Sequence, residues 1–313
     1  MSVDFCKNIL EHIGKGPLVE LKKVNNTKCH IFAKLETFNP TGSIKDVMAF
    51  YITCKAEGEG LLKPGCEIIE VTTGNTGIAF AMISALKGYK FTAVMPENMS
   101  IERRKMMEAF GAKIVFTPPA DDMKGAIEKY MELAKANPDA WLPDQFGNQD
   151  NVSAHREITG KSIIEQFNGR IDAFVAGVGT GGTLMGVSQA LREVNPNVKI
   201  VAVEPFESAI MKGGSPAQHD IQGIGEGFIP PLISMNDIDD VIAIKSQDAM
   251  NMMSMLAQEE GLMVGISSGA NVLAALELSE KMGPGKNIIT ILPDRGERYL
   301  SMNAFCQSRN LDS

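Results

Sequence analysis

Apolar runs of strand length alternate with helical runs along almost the whole chain, and that order leaves few folds open. "EIIEVTT" (67–73) precedes a Gly-Asn-Thr-Gly turn and the helical run "IAFAMISALKG". "KFTAVMP" (90–96) precedes "SIERRKMMEAFG", and "AKIVFTP" precedes an amphipathic stretch from Asp121 to Ala136. Further on come "IDAFVAGVGTGGT", a helix through Leu191, "VKIVAVEP", "DVIAIK", two helical runs and the strand "NIITILP". Strands that take turns with helices predict an α/β fold, with parallel sheets covered by helices on both faces. At 313 residues the chain suits one large domain or two closely packed ones. No internal repeat or linker interrupts it, and the longest irregular stretch, Pro205 to Asn236, is rich in Gly and Pro. A loop of that length in a compact domain is more often functional than idle.

Charge and composition then remove several function classes. A net charge of −8 argues against a nucleic-acid binder, which carries a basic face. No apolar run approaches the roughly 20 residues that cross a bilayer, so no membrane span is expected. The N-terminal "MSVDFCKNILEHIGKG" lacks the pattern of a secretory signal. Cys6, Cys29, Cys54, Cys66 and Cys306 are scattered, without zinc or Cys-x-x-Cys spacing, which predicts reduced thiols in a cytoplasmic protein and no metal.

Three glycine-rich turns stand between a strand and a helix, where such sheets bind anions. "GVGTGGT" (177–183) can close its backbone around a phosphate, and Thr180 and Thr183 add hydroxyls. "TTGNTG" (72–77) offers hydroxyls, an amide and backbone N–H groups to a carboxylate, and "GISSGAN" (265–271) offers Ser267 and Ser268. Gly177, Gly179 and Gly182 also satisfy the Gly-x-Gly-x-x-Gly dinucleotide pattern, with Glu204 at the end of the next strand as a ribose-binding acid. A nicotinamide dehydrogenase therefore stays open, although its motif lies far from the N-terminus.

That alternative leaves Lys45 unexplained. In "NPTGSIKD" Ser43 reads as a helix N-cap and Asp46 as its capping-box partner. Lys45 then sits in the first helical turn, where the helix dipole opposes a cation. A lysine whose charged form is disfavoured can supply the free amine that Schiff-base chemistry needs. A phosphate cradle, a carboxylate turn and such a lysine are together the parts of a pyridoxal phosphate site.

The segments "LETFNPTGSIKD", "TTGNTGIAFA", "MSIERRKMMEAFGAKIV", "DQFGNQDN", "GVGTGGTLMGV", "IQGIGEGFIP", "GISSGAN" and "PDRGERYLS" appear in the order seen in cysteine synthases. Over residues 13 to about 305 the chain closely resembles O-acetylserine sulfhydrylase, in the fold-type-II group of pyridoxal phosphate enzymes that includes cystathionine β-synthase. The resemblance implies two doubly wound three-layer α/β/α domains of the tryptophan synthase β type. Residues 1–38 and 150–313 would form the larger, phosphate-binding domain, and 39–149 a smaller mobile one that closes on the substrate. It implies that Lys45 carries pyridoxal 5'-phosphate as an imine and then takes the substrate α-proton. Asn75 would bond the ring hydroxyl oxygen, Gly179, Thr180, Gly181, Gly182 and Thr183 the phosphate, and Ser267 would face the pyridine nitrogen. Thr72, Thr73, Asn75, Thr76 and Gln145 match the substrate-carboxylate cradle, with Gly225 near the substrate. The implied reaction makes L-cysteine from O-acetyl-L-serine and sulfide through α-aminoacrylate. A homodimer is implied as well, and a serine acetyltransferase docks on some relatives.

Glu226 departs from the family, which commonly has a small residue there, beside the substrate β-position. It raises two alternatives: a base for an incoming nucleophile, hence a cysteine-consuming reaction that releases hydrogen sulfide or joins a thiol, or a plain outward glutamate. Asp294 and Val47 bear on the first substrate, O-acetylserine against O-phosphoserine. A serine or threonine dehydratase and a silent binding module are further alternatives, disfavoured by "GTGGT" and by intact Lys45, Asn75 and Ser267. His155 reads as structural and His30 and His219 as partnerless for a metal. "MNMMSMLAQEEGLM" reads as an adaptable packed helix face, and Glu102, Arg103 and Arg104 as a solvated charge cluster.

Overall fold

A computed structural model describes residues 6–302 apart from 73 and 99; Thr73 and Cys306, singled out above, lie outside the described residues. In chain order the first elements are β1 (Leu18–Leu21), β2 (His30–Leu35), α1 (Lys45–Gly58), β3 (Glu67–Val71), α2 (Asn75–Lys87) and β4 (Lys90–Pro96). Next come α3 (Ile101–Ala109), β5 (Lys113–Thr117) and α4 (Asp122–Ala136). One continuous helical rod follows, α5 (Asp150–Ala154), a π-helical segment (His155–Gly160) and α6 (Lys161–Gln166). The remainder is β6 (Ala173–Gly177), α7 (Gly182–Val194), β7 (Lys199–Pro205), β8 (Asp240–Ile244), α8 (Ser246–Glu260), α9 (Ile266–Met282), β9 (Asn287–Leu292) and a final 3-10 turn (Gly296–Met302).

The strands form two sheets, one of six in the order β1-β2-β9-β6-β7-β8 and one of three in the order β3-β4-β5. All pairings are parallel except β1 with β2, which runs antiparallel. The strand–helix alternation predicted parallel pairing throughout. The exception follows from chain length, because the link from Lys22 to Cys29 is too short for the crossover that a parallel pair needs. Central strands such as β6 and β7 are buried on both faces, as their unbroken apolar runs require.

Each sheet carries a core on either face. On one side of the large sheet Met253, Leu256, Val272 and Leu278 of α8 and α9 are buried; on the other, Leu184, Val187 and Leu191 of α7. The small sheet packs α1 and α2 on one face, with Phe80 fully buried beside Phe91 and Trp141, and α4 on the other through Ala126. This is a mixed α/β architecture of three layers around each sheet. The methionine run behaves as expected: Met252 and Met253 are core residues, while Met255 stays exposed.

Glu70 is a charge in the wrong place for a strand interior. It is fully buried on β3, accepting the N–H of its neighbour Val71. Burial, reinforced by Asp144, pushes its carboxyl up to about 8 from an ordinary value near 4.5. Between those two values the folded state holds a proton that the unfolded chain has released, so stability falls as pH rises through that window. The slope is on the order of 1.4 kcal/mol per pH unit. Urea unfolding of wild type and Glu70→Gln at pH 5.5, 6.5 and 7.5 is expected to show the amide variant losing less stability with rising pH. Parallel slopes would contradict it.

Candidate active site

The turn after β3 and the loop after β6 line one cleft between the two sheets. At its inner end is a chamber walled by Lys45, Asn75, the 179–183 loop, Ser267 and Asp294. Sequence segments separated by more than 200 residues therefore meet here.

Lys45 opens α1 and projects into both parts of the cleft. Burial among protein groups pushes its ammonium pKa down, and the carboxylates of Glu226 and Asp294 partly restore it. Desolvation is thus the leading cause, with the helix start adding to it. The cap differs from the capping box read in the sequence. Ile44, already helical in backbone, occupies the N-cap, and Ser43 Oγ accepts the Lys45 N–H at 3.3 Å. Asp46 turns back to accept the backbone N–H of Thr41 at 2.7 Å and also the Thr41 hydroxyl. The reason is tertiary: Ser43 is bridged to Asp294, and Ile44 N–H is bonded to Pro293 at 2.8 Å, so the strand end fixes the helix start. Asp46, buried, has its pKa pushed up to about 6.

In the turn that joins β3 to α2, the Thr72 and Thr76 side chains are tied to protein partners while other donors remain for a ligand. Thr72 Oγ1 accepts the N–H groups of Gly74 and Gly77, at 3.2 and 3.1 Å. Thr76 Oγ1 donates to Gln145 Oε1 at 2.7 Å, which leaves the Gln145 amide N–H groups available. The Thr72 hydroxyl hydrogen and the open N–H groups at the start of α2 complete a donor set that suits a carboxylate. Asn151, unremarked in the sequence reading, ties the two loops together by donating to the Gln145 carbonyl at 2.8 Å and to Thr180 Oγ1 at 3.0 Å.

The 179–183 loop is pressed against structure on its outer side. A Cβ on Gly179 would stand 2.5 Å from the Gly223 carbonyl oxygen. Gly181 has φ +89°, and a Cβ there would meet Ile233 at 2.7 Å. Only glycine fits both places, and the loop's inner side faces the chamber together with the start of α7. His155 is buried, with Nδ1 3.0 Å from Thr159 Oγ1 and Nε2 3.2 Å from Thr183 Oγ1. Burial, with a smaller push from Lys45, lowers its pKa to about 3, so it is neutral and positions the Thr183 hydroxyl. The structural reading of this histidine agrees with its place.

Ser267 lies buried at the start of α9 and reaches the same chamber. Asn75 donates Nδ2 to Asp294 Oδ2 at 2.7 Å, while its Oδ1 is buried and has no partner among the described residues. A glycine-built anion loop, a desolvated amine and a buried amide oxygen without a partner among the described residues line one chamber, a set of groups that suits pyridoxal phosphate. Glu204, the acid of the dinucleotide alternative, is buried elsewhere, accepting the N–H groups of Met211 and Lys212 at 2.8 and 3.2 Å. It has no place in the cleft, so the dehydrogenase pattern is not realised.

Glu226 and Gly225 line the outer cleft. Glu226 is open to the cleft, yet the protein around it raises its pKa, while Lys45 and His219 pull it down. Its side chain is solvent-exposed at the cleft mouth, so the base and the plain surface glutamate both stay open. His219 is paired with the Gly225 carbonyl oxygen at 2.8 Å, an arrangement the sequence did not disclose. Val47 is packed in the core, away from the cleft. Arg103 corrects the sequence reading: it is buried, its guanidinium 5.5 Å from the centre of the Tyr299 ring, while Arg104 covers Phe116. A wholly charged triplet gave no signal of this, because the partner ring is 196 residues away. No cluster of His, Cys, Asp or Glu among the described residues could hold a metal ion.

Against known proteins, residues 9–294 match the family model described as "Pyridoxal-phosphate dependent enzyme". A cysteine synthase of Staphylococcus aureus is 47% identical over 296 residues, 94% of this chain and 95% of that one. The crystal structure of cysteine synthase (OASS) from Entamoeba histolytica superposes with a TM-score of 0.95 at 43% identity, covering 100% of this chain and 94% of that one. A hydrogen sulfide-producing enzyme from Fusobacterium nucleatum superposes with a TM-score of 0.90 at 41% identity, covering 96% and 92%.

Proposed function

This chain belongs to the pyridoxal-phosphate dependent enzymes, and from that premise we propose that it is a cysteine synthase, forming L-cysteine and acetate from O-acetyl-L-serine and sulfide. The observation that carries the reading is the position of the desolvated Lys45 amine, between a phosphate loop and a turn rich in carboxylate donors. Pyridoxal phosphate, when bound, supplies the electron sink that makes an amino acid's α-proton removable. Gly179, Thr180, Gly181, Gly182 and Thr183 would hold its phosphate, Asn75 its ring hydroxyl and Ser267 its ring nitrogen. A hydroxyl at that last place does not keep a proton on the ring, which suits elimination over transamination.

The chain's own residues do the rest. Thr72, Thr73, Asn75, Thr76 and Gln145 bind the substrate carboxylate and orient the α-hydrogen toward Lys45. The Lys45 amine removes that proton from Cα, the acetate leaves from Cβ, and sulfide adds to Cβ. Residues 39–149, which carry the small sheet and the carboxylate turn, close on residues 1–38 and 150–313 and exclude water during these steps. Support for that division is the separation of the two sheets on either side of the cleft. A homodimer, a cytoplasmic location and docking by a serine acetyltransferase rest on family resemblance, and sedimentation with and without that partner tests the first and last.

One observation favours a second reading. Glu226 presents a carboxyl to the cleft near Lys45, where it can accept a proton from a thiol or water. This would let the enzyme consume cysteine and release hydrogen sulfide, the product for which the F. nucleatum relative is described. The deciding experiment offers O-acetyl-L-serine, O-phospho-L-serine, L-serine and L-cysteine, each with sulfide or a thiol. The highest kcat/KM is expected for O-acetyl-L-serine with sulfide. If L-cysteine gives the highest value, with sulfide released, the second reading replaces the first.

A further inference from the structure

Arg103 belongs to α3 beside the small sheet, yet its guanidinium docks on the last turn of the large one. Its Nη2 is 3.3 Å from the Tyr299 hydroxyl and the group lies over that ring. Tyr299 is fully buried and packs closely on Gly265, where a Cβ would stand 2.6 Å from the ring. Its hydroxyl donates to Asp294 Oδ2 at 2.7 Å, and the same oxygen accepts Asn75 Nδ2 at 2.7 Å. On the other side, a Cβ on Gly74 would stand 3.1 Å from Arg103 Nη1, so the glycine rests on the guanidinium. Gly74 and Asn75 are thus gripped from two directions, and both grips run back to Tyr299.

We propose that Arg103 and Tyr299 are positioning residues for the first substrate, a latch that joins α3 to the final turn and holds the 72–76 turn with its donors toward the substrate carboxylate. The inference rests on the reading of that turn as the carboxylate site. It separates binding from chemistry, since Arg103 supports the turn and not the Lys45 amine.

The test uses the holoenzyme and the variants Arg103→Met, Arg103→Lys and Tyr299→Phe, with a Met/Phe double variant. Arg103→Met is expected to raise KM for O-acetyl-L-serine about tenfold while kcat stays within about threefold. Arg103→Lys retains charge without the planar fork and is expected to fall between it and wild type. The double variant is expected to be no worse than the weaker single one, because both act through one chain of contacts. A second readout is the fluorescence of Trp141, the chain's single tryptophan, paired with Ile68 beside the small sheet, on titration with L-alanine, an amino acid without a leaving group. Its apparent Kd is expected to rise about tenfold in Arg103→Met. Unchanged KM with reduced kcat, or single effects that multiply in the double variant, would overturn the latch while leaving the site intact. A wild-type enzyme that does not respond to L-alanine would overturn the carboxylate reading, and the latch with it.

Discussion

Replacement of Lys45 by alanine is expected to reduce turnover of O-acetyl-L-serine with sulfide by at least about 10⁴-fold, with the fold intact. A positioned general base alone contributes about 10² to 10⁴-fold. The same amine also serves as the covalent attachment point for the cofactor, so its loss removes two functions at once. Stability is not at risk, because alanine is the best helix former and the backbone N–H bonded to Ser43 is retained. Removing an amine whose charged form is disfavoured by burial also relieves a desolvation cost. Two measurements separate this from general damage. Borohydride reduction of wild type should fix the cofactor to the peptide containing Lys45, as read by mass spectrometry, and should fix none in Lys45→Ala. An added small amine should restore part of the variant's activity. Retention of more than a tenth of wild-type turnover would remove the basis for the whole functional reading. A nicotinamide enzyme would be indifferent to the change.

The local pattern carried most of the elements and several of the residues that meet in the cleft. β4 coincides with the run "KFTAVMP", and β7 with "KIVAVEP", because unbroken β-branched and apolar stretches bounded by turns have little else to form. The three glycine-rich turns were visible because a strand must end before a helix begins, and only small residues allow the tight approach found at Gly179 and Gly181. Sheet order was not legible, since β9 lies between β2 and β6 and nothing local encodes that neighbour choice. The π-helical segment at His155–Gly160 also gave no sequence signal. The burial of Tyr299 and Arg103 was hidden for a related reason: each packs on the other from 196 residues away. The same tertiary pinning moved the start of α1 from Ser43 to Ile44 and turned Asp46 toward Thr41. Propensity named the helix, and contact with the end of β9 decided its first residue.

Glu226→Ala is expected to change what the enzyme accepts rather than whether it works. The first half of the reaction, loss of the α-proton and of acetate, depends on Lys45 and the 72–76 turn and should stay within about threefold of wild type. Delivery of a neutral thiol differs, because its proton must leave as the sulfur bonds to Cβ. A carboxylate at the cleft wall can take that proton, and its loss should slow thiol addition by about 10²-fold, the lower range for general-base catalysis. Hydrosulfide already lacks that proton and is repelled by a carboxylate, so its addition should be unchanged or faster. Glu226→Gln keeps the shape and hydrogen bonding of the side chain while removing the charge and the basicity, so it should behave like the alanine variant. The burial that raises the Glu226 pKa works in the same direction, bringing the group closer to the operating pH at which a base is most effective. His219, which pairs with the carbonyl of the preceding Gly225, fixes the loop and so the reach of the carboxyl. Rapid-mixing measurement of the two halves with sulfide, L-cysteine and a simple thiol gives the ratio directly. If the ratio of thiol to sulfide products is the same in wild type and both variants, Glu226 has no part in choosing the nucleophile, and the cysteine-consuming reading loses its support.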